Sequence, residues 1–144
     1  MMYGEILVPV NGTEESETAI PHAFEIAKER GATVHALCAY SRQSRYGALS
    51  VESAEHREES LHEQAEQIVD EVAERAAEEG IDCVTTIREG DPTEGILDYV
   101  DDNRIGLIVI GARKRSPTGK VLFGSVSQSV ILNTTVPVLV TGGR

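Results

Sequence analysis

The sequence predicts an α/β fold: a doubly wound, five-stranded parallel sheet with helices on both faces. Short, nearly continuous apolar segments that suit buried strands alternate with longer segments whose apolar residues recur at helical spacing. Turn residues separate the two kinds of segment, as Asn11-Gly12 does after the first strand. The chain has 144 residues, which is ordinary for one packed domain, and we expect residues 1–144 to form a single one.

The first half of the chain shows two strands and two helices. They are, in order, a strand at residues 5–10, a helix at 13–30, a strand at 33–40, a polar loop at 41–50 and a helix at 51–79. Gly31 suits the end of the first helix, whereas Pro21 predicts that this helix starts late or has an irregular first turn. The apolar stripe of the second helix consists of Leu61, Ala65, Ile68, Val72 and Ala76.

The second half continues the alternation. It contains a strand at residues 82–88, a helix at 91–103, a strand at 105–110, a helix at 125–132 and a strand at 136–141. Asp91-Pro92 followed by Glu94 is typical of a helix start. In doubly wound folds ligands bind beyond the carboxyl ends of the strands, at the switch point of strand order. The loops Pro9–Thr13 and Gly111–Ser127 should both lie there.

Charge divides the chain sharply. The net charge is −11, with −17 in residues 1–102 and +6 in residues 103–144, which contain no Asp or Glu. The acidic body argues against binding to nucleic acid or to an anionic membrane. It is also typical of proteins that work at high salt, so we expect a halophilic source. The N-terminus enters a strand pattern without a signal peptide, and we expect a cytoplasmic protein.

The loop from Gly111 to Ser127 is the strongest candidate for a binding site. It carries four bases, Arg113, Lys114, Arg115 and Lys120, and leads into a helix whose free N–H groups would favour an anion such as phosphate. A structural alternative is that Ser125 and Gln128 form a capping box. The loop is not a Walker A sequence, because that would require Gly at position 114 and Ser or Thr at 121.

Other residues have ordinary structural explanations. Cys38 and Cys83 each fall in a predicted buried strand, and no spaced Cys/His set predicts a metal site. Glu89 and Asp91 could hold Mg²⁺, but an N-cap explains Asp91 better. No Ser/His/Asp or Cys/His set is placed for nucleophilic catalysis. We therefore predict no catalytic residues and no metal ligands.

Three stretches carry a resemblance to the universal stress protein family over the whole chain. They are Ile6-Leu-Val-Pro-Val-Asn-Gly-Thr13, the spaced glycines from Gly111 to Gly124-Ser125-Val126-Ser127, and Val136-Pro-Val-Leu-Val140. The family's nucleotide motif has glycine, two residues, glycine, nine residues, then glycine and Ser or Thr. The spacing is kept here, although position 114 is lysine.

The resemblance implies an α/β homodimer that in one branch binds ATP. Pro9, Asn11 and Ala39 would flank the adenosine, and the ribose and phosphates would lie among Ile110, Gly111, Lys114, Gly124, Ser125, Val126 and Ser127. Val10 and Arg113 complete the predicted site. The twin strands Val136–Val140 would pair across the dimer axis.

Two positions depart from the family pattern. Asn11 stands where the family usually has Asp, and an amide offers both a donor and an acceptor. Lys114 could contact phosphate as a point charge, or fill the space where the backbone must approach the ligand. We predict a small, dimeric stress-response protein that binds ATP, AMP or a related adenine nucleotide, with Mg²⁺ accompanying ATP and hydrolysis slow or absent. The alternatives are a dimerisation or interaction module that binds no nucleotide and, last, a phosphoryl-transfer enzyme.

Overall fold

The computed structural model describes residues 2–41, 57–115 and 121–142. Its elements, in chain order, are β1 (Glu5–Pro9), α1 (Glu14–Arg30), β2 (Thr33–Tyr40), α2 (Arg57–Glu78), β3 (Cys83–Glu89), α3 (Pro92–Asp102), β4 (Leu107–Ala112), β5 (Lys114–Arg115), β6 (Val121–Leu122), α4 (Ser125–Asn133) and β7 (Val138–Gly142). Five strands form one sheet in the order β3-β2-β1-β4-β7, and every neighbouring pair is parallel. The predicted fold class is therefore confirmed.

The strand order reverses at β1. From β1 the chain proceeds through β2 to β3 on one side, then returns to place β4 and β7 on the other side. The connections that leave β1 and β4 therefore diverge, which opens a crevice between the carboxyl ends of these two strands. This is the switch point that the sequence predicted.

Alternation along β1 divides the core into two layers. Ile6 and Val8 pack with the buried residues of α1 and α2 on one face of the sheet. Leu7, between them, packs with α3 and with Val130 of α4 on the other face. Because both faces are covered, the central strands are apolar throughout, as parallel sheets require.

Helix α1 begins at Glu14, next to the predicted residue 13 and without the delay that Pro21 suggested. Thr13 is its N-cap and accepts a hydrogen bond from the Ser16 N–H, and Gly31 ends it in the left-handed conformation with φ of 65°. The prediction of a late or irregular start was wrong, because Pro21 lies inside the helix. Its ring is on the exposed side, so the helix loses one backbone hydrogen bond while its apolar face still packs.

Helix α2 follows the predicted apolar stripe with one shift. Its described part begins at Arg57, and the predicted residues 51–56 and 42–50 lie outside the described ranges. Leu61, Ala65, Val72 and Ala76 are buried as expected, together with Val69, whereas Ile68 is only partly buried. Among the described residues no helix is long and apolar enough to cross a membrane.

The last third of the chain departs most from the sequence prediction. Strand β4 begins at Leu107 rather than Ile105 and runs through Gly111 to Ala112. A methyl carbon built on Gly106 would lie 1.9 Å from the Met2 carbonyl oxygen. The backbone at Gly106 therefore packs closely against that of Met2, directly before the strand begins. The short antiparallel pair β5–β6 was not expected, and β7 starts two residues later than predicted.

Strand β3 forms one edge of the sheet, so its residues are less buried than predicted. Cys83 is partly exposed, whereas Cys38 on β2 is fully buried and burial raises its pKa to about 12. The helix start predicted for α3 is confirmed, because the Asp91 carboxylate accepts a hydrogen bond of 3.0 Å from the Glu94 N–H.

A polar chain around the buried His35 ties four elements together: β1, β2, β3 and α3. His35 on β2 is 5% exposed, and its ring nitrogens lie 2.7 Å from the Tyr99 hydroxyl and 2.8 Å from a Glu5 carboxylate oxygen. The Thr86 hydroxyl donates a hydrogen bond to the Tyr99 oxygen at 3.3 Å. The Tyr99 hydroxyl can therefore donate its own proton to the His35 ring nitrogen. His35 is thus a hydrogen-bonded core residue.

Candidate functional site

A cleft of about 430 Å³ opens at the carboxyl ends of β1 and β4. Its walls come from the turn after β1, the end of β4 and the start of α4. The lining residues are Pro9, Asn11, Thr13, Glu15, Ser16, Ile110, Gly111, Arg113, Gly124, Ser125, Val126 and Ser127. A crevice of this size at a topological switch point suits a small-molecule ligand.

The first wall is held by hydrogen bonds within the turn after β1. The side-chain oxygen of Asn11 accepts from the Thr13 hydroxyl at 2.6 Å and from the Thr13 backbone N–H at 3.1 Å. The Asn11 N–H in turn donates to the Ser16 hydroxyl at 3.4 Å. Because the Thr13 backbone N–H can only donate, the Asn11 side-chain atom that contacts it must be the amide oxygen. The amide nitrogen of Asn11 therefore remains as the donor group available to a ligand.

The second wall contains Gly111, whose role differs from the one expected. The position of Gly111 directly after a predicted strand suggests, from sequence, that the missing side chain would let a ligand approach the backbone. Instead helix α1 fills that space, since a methyl carbon built on Gly111 would lie 1.7 Å from the Glu15 carbonyl oxygen and 2.9 Å from the Thr18 hydroxyl. Gly111 is thus required for packing of α1 against β4.

The third wall is the uncapped start of α4. Gly124 is the N-cap, with φ of −69° and ψ of 160°, and no side chain caps the helix. The structural alternative, a capping box of Ser125 and Gln128, is therefore wrong, because Ser125 is already the first helical residue. The first hydrogen bond within the helix runs from the Gln128 N–H to the Gly124 carbonyl oxygen, at 3.0 Å. The N–H groups of the preceding residues, 125–127, therefore have no acceptor within the helix.

The surroundings of Gly124 are open. A methyl group built there would meet no atom within 4 Å, and its backbone conformation is one that any residue adopts. Unlike Gly111, Gly124 is therefore not required to be glycine by the packing of the described residues. Ser125, Val126 and Ser127 line the cleft at the start of this helix. The N–H groups of a first helical turn and serine hydroxyls are groups that suit an anion.

Two charged side chains line the cleft within the described part of the chain. The Nε atom of Arg113 lies 3.9 Å from a carboxylate oxygen of Glu15, and the two side chains are 64% and 28% exposed. The pair is too long for a hydrogen bond, so the guanidinium keeps its donors for another acceptor. Across the described residues, no three His, Cys, Asp or Glu side chains are grouped so as to hold a metal ion.

The structure brings most of the predicted site residues together. Those that line the cleft are Pro9, Asn11, Ile110, Gly111, Arg113, Gly124, Ser125, Val126 and Ser127. Val10 and Ala39 are instead buried in the two core layers, at 1% and 2% exposure. The backbone of Lys114 belongs to β5, but its side chain lies outside the described part.

Glu15 and Ser16 also line the cleft and were not predicted. Thr13 lines it too; it ends the predicted loop Pro9–Thr13 but was not named as a site residue. All three follow Asn11-Gly12 directly, on the first turn of α1. Because α1 starts at the carboxyl end of β1, its first residues must stand beside the crevice. The predicted helix start at residue 13 was the available signal, although Pro21 argued for a later start.

The fold and the cleft define an α/β protein with a crevice at the switch point of a parallel sheet, lined by the start of a helix and by Arg113. Residues 2–142 match the universal stress protein family, and the chain belongs to that family. A universal stress protein of Methanocaldococcus jannaschii is 32% identical over 139 residues, which cover 96% of this chain and 82% of that relative.

Solved structures agree with the fold. A universal stress protein of Archaeoglobus fulgidus in complex with dAMP has a TM-score of 0.70 and 24% identity, and the match covers 97% of this chain and 98% of that one. An Arabidopsis thaliana family protein with AMP bound has a TM-score of 0.72 and 20% identity, and the match covers 97% and 92% of the two chains. At these identities the similarity establishes a shared fold.

Proposed function

We propose that the cleft binds an adenine nucleotide, with its phosphates at the start of α4 and its nucleoside beside the turn after β1. The uncapped first turn of α4, open to the cleft and next to Arg113, is the observation that carries this proposal. Two family members of the same fold are known with AMP and dAMP bound, which favours adenine nucleotides among possible anions.

The phosphate end of the cleft offers several donors at once. The unpaired N–H groups of the first helical turn and the positive end of the helix dipole both favour an oxyanion. Ser125 and Ser127 add hydroxyl groups, and Arg113 adds a guanidinium that can bind two phosphate oxygens. Because Gly124 lacks a side chain, a phosphate can approach these N–H groups closely.

The nucleoside end is more apolar and presents one defined donor. Pro9 and Ile110 provide apolar surface at the ends of β1 and β4. The Asn11 amide nitrogen would donate to a ring nitrogen or a ribose oxygen, since Thr13 already occupies the amide oxygen. An aspartate at this position would instead offer only acceptors, so the change from the family pattern alters which ligand atom is contacted.

Both AMP and ATP are ligands under this proposal, with Mg²⁺ accompanying ATP. Lys114 would contact the phosphates as a point charge. We expect hydrolysis to be slow or absent, because within the described residues Glu15 is the carboxylate that lines the cleft and it already faces Arg113.

Calorimetric titration of AMP and of ATP with Mg²⁺, at low and high salt, tests nucleotide binding. Gly124→Val should abolish binding, since the added side chain fills the open space at the helix start. Gln128→Ala, on the exposed side of α4 outside the cleft, is the control and should bind as the wild type does. Absence of heat and of thermal stabilisation at millimolar nucleotide would refute the proposal. Unchanged affinity in Gly124→Val would mean that the site is misplaced.

We also propose that the protein is a cytoplasmic homodimer that forms through the segment Val136–Val140. If it binds no nucleotide, the alternative function is that of a dimerisation or interaction module of the same fold. Strand β7 lies at one edge of the sheet with Leu139 and Val140 37% and 39% exposed. An exposed apolar edge is normally covered, and a second copy would cover it.

Sedimentation velocity tests the dimer. Val140→Glu should give a monomer, whereas Val84→Glu should not, because Val84 is equally exposed, at 42%, but lies on the opposite edge strand β3. A wild-type protein that sediments as a monomer at tens of micromolar would refute this part of the proposal. Loss of the dimer in both variants would indicate a general effect of the added charge.

A further inference from the structure

Glu15 is held against the cleft by its own main chain. Its carbonyl oxygen occupies the space beside Gly111 and accepts a hydrogen bond of 2.7 Å from the Thr18 hydroxyl. The backbone at this point cannot move away from the end of β4 without breaking the packing of α1. The Glu15 side chain therefore starts from a fixed point in the cleft wall and is only 28% exposed.

The carboxylate of Glu15 opposes the anion-binding character of the same cleft. Arg113 is the other charged side chain among the described lining residues, and the two lie 3.9 Å apart. A phosphate that approaches Arg113 must therefore also approach Glu15. The repulsion rises with the charge of the phosphate chain, whereas the contacts with the first turn of α4 are limited to a few N–H groups.

We infer that Glu15 is a specificity-determining residue that biases the cleft toward nucleoside monophosphates and against free triphosphates. The inference rests on the proposed nucleotide-binding function and deepens it. Screened repulsion over roughly 7 Å in a water-like dielectric changes affinity by about two- to threefold for each unit of ligand charge. A divalent cation bound to the triphosphate neutralises part of that charge and weakens the discrimination.

The charge series AMP, ADP and ATP, titrated by calorimetry without divalent ions and at low salt, tests this inference. In Glu15→Gln all three affinities should rise, by about fivefold for AMP and by at least a further threefold for ATP. Adding Mg²⁺ should bring the gain for ATP down toward that for AMP. Raising the salt concentration should diminish every gain.

Two variants serve as controls. Glu14→Gln makes the same change in net charge on the same helical turn, but Glu14 is exposed and does not line the cleft, so affinities should stay within twofold of the wild type. Glu15→Asp keeps the charge and should retain the wild-type preference for AMP over ATP. Thermal melting checks that each variant is folded.

The possible failures are distinct. If the wild type binds nucleotides and Glu15→Gln leaves the ratio of AMP to ATP affinity unchanged, the inference is wrong while the proposed function stands. If Glu15→Gln weakens binding of ATP with Mg²⁺, Glu15 is a metal ligand and the inference is overturned. If neither protein binds any nucleotide, the proposed function is wrong and the inference falls with it.

Discussion

Replacing Gly111 by alanine should destabilise the fold, although replacing a glycine within a strand by alanine ordinarily stabilises a protein. The added methyl carbon would lie 1.7 Å from the Glu15 carbonyl oxygen, and such contacts need at least 3.0 Å, so strand and helix must separate by about 1.3 Å. The obstructing atom belongs to the backbone of α1, and a change of side-chain rotamer cannot remove the clash.

The cost follows from what the separation disrupts. Helix α1 packs Ile20, Ala23 and Phe24 into the core at 2% exposure or less, and moving it opens that packing. Overpacking of this kind costs typically 1–3 kcal/mol, and the reduced entropy of the unfolded chain returns less than 1 kcal/mol. We therefore expect Gly111→Ala to lower the free energy of unfolding by about 1–2 kcal/mol.

Gly124→Ala is the matched comparison. A methyl group there meets nothing within 4 Å, and the backbone conformation suits alanine. Alanine is a poorer N-cap than glycine, but the entropic gain offsets this, so the net change should be within about 0.5 kcal/mol. Under the proposed function the same variant should nevertheless weaken nucleotide binding.

Urea unfolding followed by circular dichroism measures both variants. A lower midpoint for Gly111→Ala at an unchanged slope would report a true loss of stability. If Gly111→Ala is as stable as the wild type, α1 does not lie against β4 as described. Equal destabilisation by both variants would show that Gly124 has an undetected packing role.

Three further predictions concern stability. Tyr99→Phe removes the hydrogen-bond partner of the buried His35 ring and should cost about 1–2 kcal/mol in urea unfolding, whereas Tyr3→Phe, on a partly buried ring, should cost less than about 0.5; similar losses in both would contradict the described contact. Asp91→Ala should cost about 1 kcal/mol by loss of the N-cap of α3, and Asp91→Asn should restore most of it, as melting curves would show. Burial raises the pKa of the Cys38 thiol from 9.0 to about 12, so the unfolded thiol ionises first and stability should fall as pH rises between these values. In Cys38→Ala the alkaline slope should be shallower by up to about 1.4 kcal/mol per pH unit, and an unchanged slope would refute the explanation.

Much of the fold could be predicted because apolar periodicity is a local signal. The alternation of strands and helices and the cap at Asp91 each depend on residues close in sequence. The exchange of Ile68 for Val69 in the stripe of α2 shows the limit of that signal, since adjacent positions differ by only 100° around a helix. Pro21 misled for a related reason: whether a proline is tolerated depends on which side of the helix faces the core.

The site was harder to predict because its residues act through tertiary contacts. Gly111 and Gly124 look alike in sequence, yet one is needed for packing and the other opens onto the cleft. Ser125 matched a capping box that the backbone does not form, because Gly124 took the cap position. The packing of α1 against β4 shows that Gly111 is the glycine needed for packing, and this contact cannot be read from the sequence.

The strand order has a consequence for biosynthesis. Strand β1 leaves the ribosome before the other strands, yet it lies at the centre of the sheet and pairs with β4, which starts only at Leu107. Until then the nascent chain can assemble β1 with β2 and β3 alone, with one edge of β1 unpaired and its Leu7 face uncovered by α4. The three walls of the cleft meet only when β4 and α4 have joined the fold. Under the proposed function, ligand binding would therefore be confined to chains in which this last part of the domain has folded.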